Sequence, residues 1–425
     1  MLDLKFIIEN KELIKNNCRL RKVKLDFEEL ERLAQQRKTS LQETEELHSK
    51  INKLAEIAKA SAAKKEVVSQ DIINEGKRLK EKLAVAEGRF SETEGKLEAK
   101  LIDIPNLTHP DSPTGESDAD NKEIRTWGNI MRFEFQPRDH VVLGKNLDII
   151  DFDSGTKTTG NKFYFLKNDG VLLEFALVQY AFEILQKEGF VLHTTPDLAR
   201  LDIIEGVGFI PRGPEAQIYR IENENLGLIA TAEITLGGMY RDEVLAGNEL
   251  PVKLAGVSHC FRTEAGAYGR ASKGLYRVHQ FTKVEMFVFS APESSDKMLD
   301  HIVQTEEKIF QGLGIPYHVV DCCTADLGGP AYRKFDLEAW LPADSRWGEV
   351  TSASNCTDYQ SRSLNIKYKN SSDHKSKLAH TLNGTAIAVS RAIIAIMENY
   401  QQEDGSIKIP EPLQRWMGKE FIKPR

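Results

Sequence analysis

Three scarcities in this 425-residue chain each remove a class of protein. No apolar run approaches the ~20 residues that cross a bilayer, so no transmembrane helix and no membrane role is expected. Cysteine is rare: Cys18, Cys260, Cys322, Cys323 and Cys356 form no CxxC pair and no zinc spacing. An odd, scattered set fits a reducing compartment, not a disulfide framework. Positive charge is short as well. A formal net charge of −7 argues against non-specific nucleic-acid binding by the whole body and leaves only local basic surfaces. The opening "MLDLKFIIENKELIKNN" alternates acids and bases, unlike a secretory signal or an Arg/Ser-rich transit peptide, so a cytoplasmic location is expected. What is present suffices for a core: 40% hydrophobic and 28% charged residues, over a length that predicts two or more domains.

Glycine and proline are scarce in one long segment. From Leu30 to Leu101 proline is absent and glycine occurs only as Gly76, Gly88 and Gly95. Steps of three and four give Leu30, Leu33, Arg37, Ser40, Thr44, Leu47, Ile51, Leu54 and Ala58, then Ile72, Gly76, Leu79, Leu83, Ala86, Phe90, Thr93, Leu97 and Leu101. Both runs are heptad-like. "KASAAKKEVVSQ" breaks the phase between them, which predicts a helical hairpin about 45–50 Å long. An oligomerisation coil and a nucleic-acid arm share that pattern. From Lys50 to Lys82, however, nine Lys or Arg face five acids, a local +4 inside an acidic chain, which suits contact with a phosphate backbone.

"LIDIPNLTHPDSPTGESDADN" reads as a linker. Beyond it, "ALVQYAFEILQKEG" has helical spacing and ends on glycine, and "FVLHTTPDL" is extended. "KFYFLK", "LYRVHQFTKVEMFVF", "KFDLEAWL" and "LNIKYK" alternate at period two. The expected body is α+β, an antiparallel sheet with helices packed on it.

The densest chemistry lies in "FRTEAGAYGRASKGLYRVHQFTKVEMF", Phe261 to Phe287. Its glycines fail as a P-loop, because Leu275 and Tyr276 stand where Lys and Ser/Thr are required after Gly274. "GVG" at Gly206 lacks the third glycine of a dinucleotide fold, and HIGH- and KMSKS-type signatures are absent. An antiparallel hairpin remains, with Arg262 and Glu264 on one face of the first strand and Arg277, His279 or Gln280, Phe281 and Glu285 on the return. Arginine forks onto phosphate or carboxylate oxygens, and an aromatic on the return strand offers a face for a purine.

This stretch resembles motif 2 of the class II aminoacyl-tRNA synthetases and, in detail, that of the seryl-tRNA synthetase family in its bacterial form. "ALVQYAFEILQKEGFVLHTTPDLAR" (about 176–200) is similar to motif 1, and "HTLNGTAIAVSRAIIAIMENYQ" (about 380–400) to motif 3. "LIATAEITL", "WGEVTSASNCTDYQSRS", "LIDIPNLTHPDSP" and "IPEPLQRWMGKEFI" also read like the family, so the resemblance covers essentially the whole chain in order. It implies a tRNA-binding domain over 1–108 with a coiled-coil arm at about 30–101. A class II catalytic domain follows over 109–425, with motif 2 at about 258–287. The implied activity is ATP-dependent attachment of L-serine to tRNA(Ser), and to tRNA(Sec) where present, through a seryl-adenylate. The implied enzyme is a homodimer binding tRNA across its subunits, with Mg²⁺ as cofactor.

The resemblance also implies roles residue by residue. Arg262, Arg391 and Glu349 are the expected catalytic residues. Thr231, Glu233, Arg262, Glu285, Asn383 and Thr385 are expected to hold serine. Arg262, Thr263, Glu264, Arg277, Val278, Phe281, Glu349, Val350, Thr351, Ser352 and Arg391 are expected to hold ATP, with Glu349 and Ser352 on the metal. Thr263, Lys273, Tyr268 and Ala271 depart mildly from the family pattern and remove no charge the chemistry needs. Asp336 and Glu338 read as structural strand residues, His279 as a hydrogen-bonded strand residue, and Cys260, Cys322 and Cys323 as packed thiols. Two rival readings are a ligase loading an amino acid onto a carrier protein and a non-catalytic binding protein. The intact arm weighs against the first, and the survival of Arg262, Glu349 and Arg391 against the second.

Overall fold

The computed structural model describes all residues except 65–66, 210–216, 265–272, 373 and 425. It divides into two compact units, Leu2–Pro105 and Asn106–Arg425 together with Met1. In the first unit, α1 (Leu4–Glu9) and α2 (Lys11–Leu20) precede two long helices, α3 (Phe27–Ala63) and α4 (Gln70–Ile102). Every heptad position named above is buried or half-buried, which is what turns the pattern into a seam. Ion pairs Arg37–Glu94 at 2.7 Å and Arg89–Glu43 at 2.9 Å fix the antiparallel register. Leu47, Leu79 and Ala86 close the seam between the helices on the tip side of these pairs. The 37 residues of α3 extend about 55 Å. The reversal falls inside the expected segment, where Lys65 and Glu66 lie outside the described residues. The other eight Lys and Arg between Lys50 and Lys82 are all exposed.

The second unit is built on an eight-stranded sheet. In chain order its strands are β1 (Lys122–Trp127), β2 (Val191–Thr194), β3 (Val252–Phe261), β4 (Gln280–Ser290), β5 (Tyr317–Asp321), β6 (Arg333–Leu341), β7 (Arg346–Thr357) and β8 (His380–Ala388). Their spatial order is β1-β5-β6-β7-β8-β4-β3-β2. All pairs are antiparallel except the edge strand β2, which runs parallel to β3. Four helices matter for the site: α5 (Asp169–Lys187), α6 (Glu233–Gly238), α7 (Ser295–Gly312) and α8 (Val389–Asn399). α5 starts seven residues before the expected Ala176, because "DGVLLEF" continues the same apolar spacing after Asn168. "KFYFLK" forms a strand only at Phe165–Leu166, and "LNIKYK" only at Lys367–Lys369 in a separate small sheet.

Period-two alternation on β4 separates two environments. Val284, Met286 and Val288 join one core with residues of α5, α7 and α8. On the opposite face, Phe287 and Phe289 pack with Ile234 and Leu236 of α6. Lys283 and Glu285 precede these aromatics on that same face.

Under the sheet, Glu306 of α7 is fully buried and accepts a hydrogen bond from Thr351 Oγ1 at 2.9 Å. Gly384 lies so close that a Cβ there would stand 2.9 Å from Glu306 Oε1. Burial pushes the Glu306 carboxyl well above its usual value near 4.5; the Thr351 hydrogen bond opposes this, and neighbouring Glu285, Asp336 and Glu307 reinforce it. A folded-state value above the unfolded one means that stability falls as pH rises past about 4.5. Glu306→Gln keeps the shape and removes the titration. Its stability relative to wild type, from denaturant titrations, should improve by ~1 kcal/mol or more between pH 5.5 and 8. A constant difference across that range would contradict the assignment.

Candidate active site

Strands β4, β6, β7 and β8 and helix α6 line a cavity of about 420 Å³. Thr231, Glu233, Glu285, Ser352, Asn383 and Thr385 line it. Arg262, Lys283, Glu349 and Thr385 also line an adjoining recess formed with Glu264, Arg277, Val278, Phe281, Val350, Thr351 and Arg391. The expected residues from four distant segments therefore meet, with Arg262 where the two spaces join. Thr263 is not among the lining residues, and its N–H donates to the Gln217 carbonyl at 3.1 Å.

The register explains the gathering. Thr385 stands opposite Glu285 across β8 and β4, and Gly256 opposite Glu285 on the other side, so a small neighbour leaves the carboxylate room. Glu349 and Ser352 are three residues apart and in a regular strand would point to opposite faces. Opposite Leu337 and Glu338, β7 carries one extra residue at Val350, a β-bulge that brings both to the cavity. Thr351 points its hydroxyl beneath the sheet to Glu306.

The motif 2 hairpin differs from expectation at its mouth. β3 ends at Phe261 and β4 begins at Gln280, so Arg262, Glu264 and Arg277 lie beyond the strands. Glu264 has φ +50°, a left-handed conformation that no strand accommodates, and its N–H donates to Gln217 Oε1 at 3.0 Å. One further rung survives: Arg262 N–H donates to the His279 carbonyl at 3.0 Å, and the His279 ring N–H to the Arg262 carbonyl at 2.8 Å. His279 is thus a hydrogen-bonded scaffold residue. The loop residues 265–272, including Tyr268 and Ala271, lie outside the described residues. At the far end Gly274 has φ +59°, and a Cβ there would meet His140 Nε2 at 2.2 Å. The same Nε2 accepts from Leu275 N–H at 3.2 Å, so Nδ1 carries the proton and donates to Glu398 at 3.0 Å.

Most charges in the cavity are neutralised in pairs. Arg391 lies 2.8 Å from Glu349, Arg277 3.3 Å from Glu264, and Lys334 3.1 Å from Asp336; Lys283 pairs with Glu285. Burial alone would raise the Glu349 carboxyl, but Arg391, Lys334 and Arg262 outweigh it and hold it well below the usual range. Two groups are exceptions. Glu233 forms no ion pair among the described residues; it accepts from the side-chain amides of Gln360 at 2.8 Å and Asn383 at 2.9 Å. Burial, helped by Glu285, pushes its carboxyl up to about 7. Arg262 likewise pairs with no acid among the described residues, and its guanidinium lies 5.3 Å from the centre of the Phe281 ring.

Several functional neighbours escaped sequence reasoning. Lys283 had a readable signal, since it sits two residues before Glu285 on an alternating strand. Gln360 had none, because only the fold brings it to Glu233. Tyr276, taken only as a failed P-loop position, lies beneath two guanidiniums, Arg346 at 4.8 Å and Arg391 at 4.7 Å. Asp336 is paired with Lys334, and Glu338 accepts from His318 at 2.6 Å, as structural roles require. Cys322, Asp326 and Asp336 bring three metal-capable atoms within 4.8 Å of one another. The Lys334 ammonium contacts both aspartates at 3.1 Å and already supplies the positive charge a cation would bring there.

Comparisons with known proteins agree with this arrangement. The seryl-tRNA synthetase N-terminal domain matches residues 1–108, and the class II tRNA synthetase core domain (G, H, P, S and T) matches 218–400. The serine–tRNA ligase of Rubrobacter xylanophilus is 52% identical over 425 residues, covering 100% of this chain and 99% of the relative. That of Treponema denticola is 51% identical over 424 residues, covering 99% and 100%. Among solved structures, the seryl-tRNA synthetase from Pyrococcus horikoshii complexed with ATP superposes with a TM-score of 0.86 at 39% identity, covering 100% of both chains. The cytoplasmic serine–tRNA ligase from Naegleria fowleri in complex with AMP gives 0.81 at 30% identity, covering 100% of this chain and 99% of that one.

Proposed function

Because the chain belongs to the seryl-tRNA synthetase family, a class II group that couples ATP to the attachment of serine to tRNA, we propose how its own residues divide that work. The observation that carries the proposal is the pair of exceptions in the cavity. One acid without a cation, Glu233, and one cation without an acid, Arg262, match the two charges of an amino-acid zwitterion. Glu233, with Thr231 beside it, takes the α-ammonium, and Arg262 takes the carboxylate. Glu285 and Thr385, bonded to each other at 3.2 Å, read the side-chain hydroxyl. Asn383 keeps Glu233 in place through its amide.

ATP occupies the adjoining recess. Phe281 offers its ring to adenine, with Glu264, Val278, Val350 and Thr351 alongside, and Thr263 contributes from the chain just outside the recess. Arg277 and Arg391 face the phosphates. Arg262, at the junction, bridges the serine carboxylate and the α-phosphate. A serine carboxylate oxygen forms a bond to the α-phosphorus as the bond to the bridging oxygen breaks, and pyrophosphate leaves with that electron pair. A hydroxyl of the tRNA terminal adenosine then bonds to the adenylate carbonyl carbon as the acyl–phosphate bond breaks, and AMP leaves, taking up the hydroxyl proton. Neither reactant of the first step gives up a proton, so positioning and charge neutralisation account for most of its acceleration.

Glu349 and Ser352 fit Mg²⁺. Both are oxygen donors brought together by the bulge, and Glu349 is held anionic. Arg391 takes Glu349 Oε1, while Oε2 makes no hydrogen bond among the described residues. A bound Mg²⁺ would supply charge neutralisation on the phosphates.

The N-terminal domain, about 1–108, is proposed to bind tRNA through its basic hairpin tip, and the catalytic domain to span about 109–425. Exposed Leu172 and Phe175 on α5 and Val191 on the edge strand β2 support a homodimer, with tRNA reaching across the subunits. tRNA(Ser) is the substrate, with tRNA(Sec) where a cell makes it, and the cytoplasm is the proposed location. No helix among the described residues is long and apolar enough to cross a membrane.

In ATP–pyrophosphate exchange with a panel of amino acids, serine should be the preferred substrate. Alanine should fall behind by roughly four to five orders of magnitude, as in other sites that read a hydroxyl. Arg262→Ala should abolish serine-dependent exchange with the fold intact by circular dichroism; near-normal exchange would sink its role. Removing Lys59 to Val68 should weaken tRNA charging and flatten its salt dependence while sparing exchange. Equal loss of both activities would instead make the arm structural.

A further inference from the structure

We propose that Lys283 is a positioning residue for serine recognition, the ammonium that pairs with Glu285 and fixes the direction of the hydrogen bonds facing the substrate hydroxyl. Lys283, Glu285 and Thr385 are all buried, at 5%, 2% and 7% exposure. Lys283 pairs with Glu285 and donates to Thr385 Oγ1 at 3.4 Å, and Thr385 Oγ1 donates to Glu285 Oε2 at 3.2 Å. An ammonium has only donors, so Thr385 must accept from it, and the single Thr385 hydrogen is committed to Glu285. What this triad turns toward the cavity is therefore lone pairs. A hydroxyl hydrogen completes it, and a methyl group leaves the acceptors unpaired.

Stability alone gives little reason for the pair, because a buried ion pair is often matched or bettered by apolar side chains of the same volume. The neighbouring positions on this face of β4, Phe287 and Phe289, are apolar and fully packed. Lys283 also lines both the cavity and the recess, so its charge sits between the two substrate spaces and not in the core. Without it, nothing would oblige Thr385 Oγ1 to accept, and the Thr385 hydrogen would no longer be committed to Glu285.

The proposal rests on the assignment of Glu285 to the serine hydroxyl, and the test separates the two. Exchange kinetics are compared for Lys283→Met, Glu285→Gln and the double variant, each checked for folding by thermal melting. Lys283→Met should raise the KM for serine at least 100-fold and change the KM for ATP less than threefold. Since Lys283 acts through Glu285, the double variant should lie within threefold of Glu285→Gln. An unchanged serine KM, an equal rise in both KM values, or a full multiplicative loss in the double variant would overturn the role of Lys283. If Lys283→Met alone does not fold, the comparison of the double variant with Glu285→Gln still decides. A wild-type serine KM in Glu285→Gln would instead overturn the underlying assignment of the pocket.

Discussion

Charge pairing inside one cavity is the constraint on which the site depends. Four acids on the walls of the cavity and its adjoining recess, Glu264, Glu285, Asp326 and Glu349, are each matched to a lysine or arginine. Unpaired, such groups would take up or lose protons or admit water. Pairing cancels their charge and leaves two uncompensated groups, Glu233 and Arg262, whose signs suit a zwitterion. The cavity's selectivity follows more from what is neutralised than from what is displayed.

Two irregularities of the sheet make that pairing possible. The extra residue at Val350 brings Glu349 to the same side as Ser352, within reach of Arg391 at the start of α8. A second register shift between Thr385 and Ile387 lets β8 turn from Thr385 toward Arg391. Beneath the sheet, Gly384 makes room for Glu306, which holds the Thr351 hydroxyl and pins β7 from the far side.

Much of this was legible in the sequence. The heptads of the arm were, because a hairpin buries one stripe per helix and the stripe is periodic. The charged residues of motifs 2 and 3 were legible through family resemblance, since their spacing in the chain is distinctive. The ends of β3 and β4 were not: whether Arg262 and Glu264 extend a strand depends on the left-handed turn at Glu264 and on Gln217, 47 residues away. Gln360 was invisible for a similar reason, as its partner Glu233 comes from a distant segment. Lys283 was missed although its position two residues from Glu285 placed it on the same face. The bulge at Val350 had a signal that went unused, since Gly348 lies two residues before it in the same strand.

The central claim is that Glu233 is the uncompensated acid that receives the α-ammonium. Its carboxyl titrates near pH 7, where burial and Glu285 have raised it, and only the ionised form attracts a cation. Equilibrium dialysis of labelled serine between pH 5.5 and 8.5 tests this directly. Wild-type affinity should fall about tenfold per pH unit below 7 and level off above it, while Glu233→Gln should bind weakly with a flat profile. A flat wild-type profile, or the same slope in Glu233→Gln, would contradict the account.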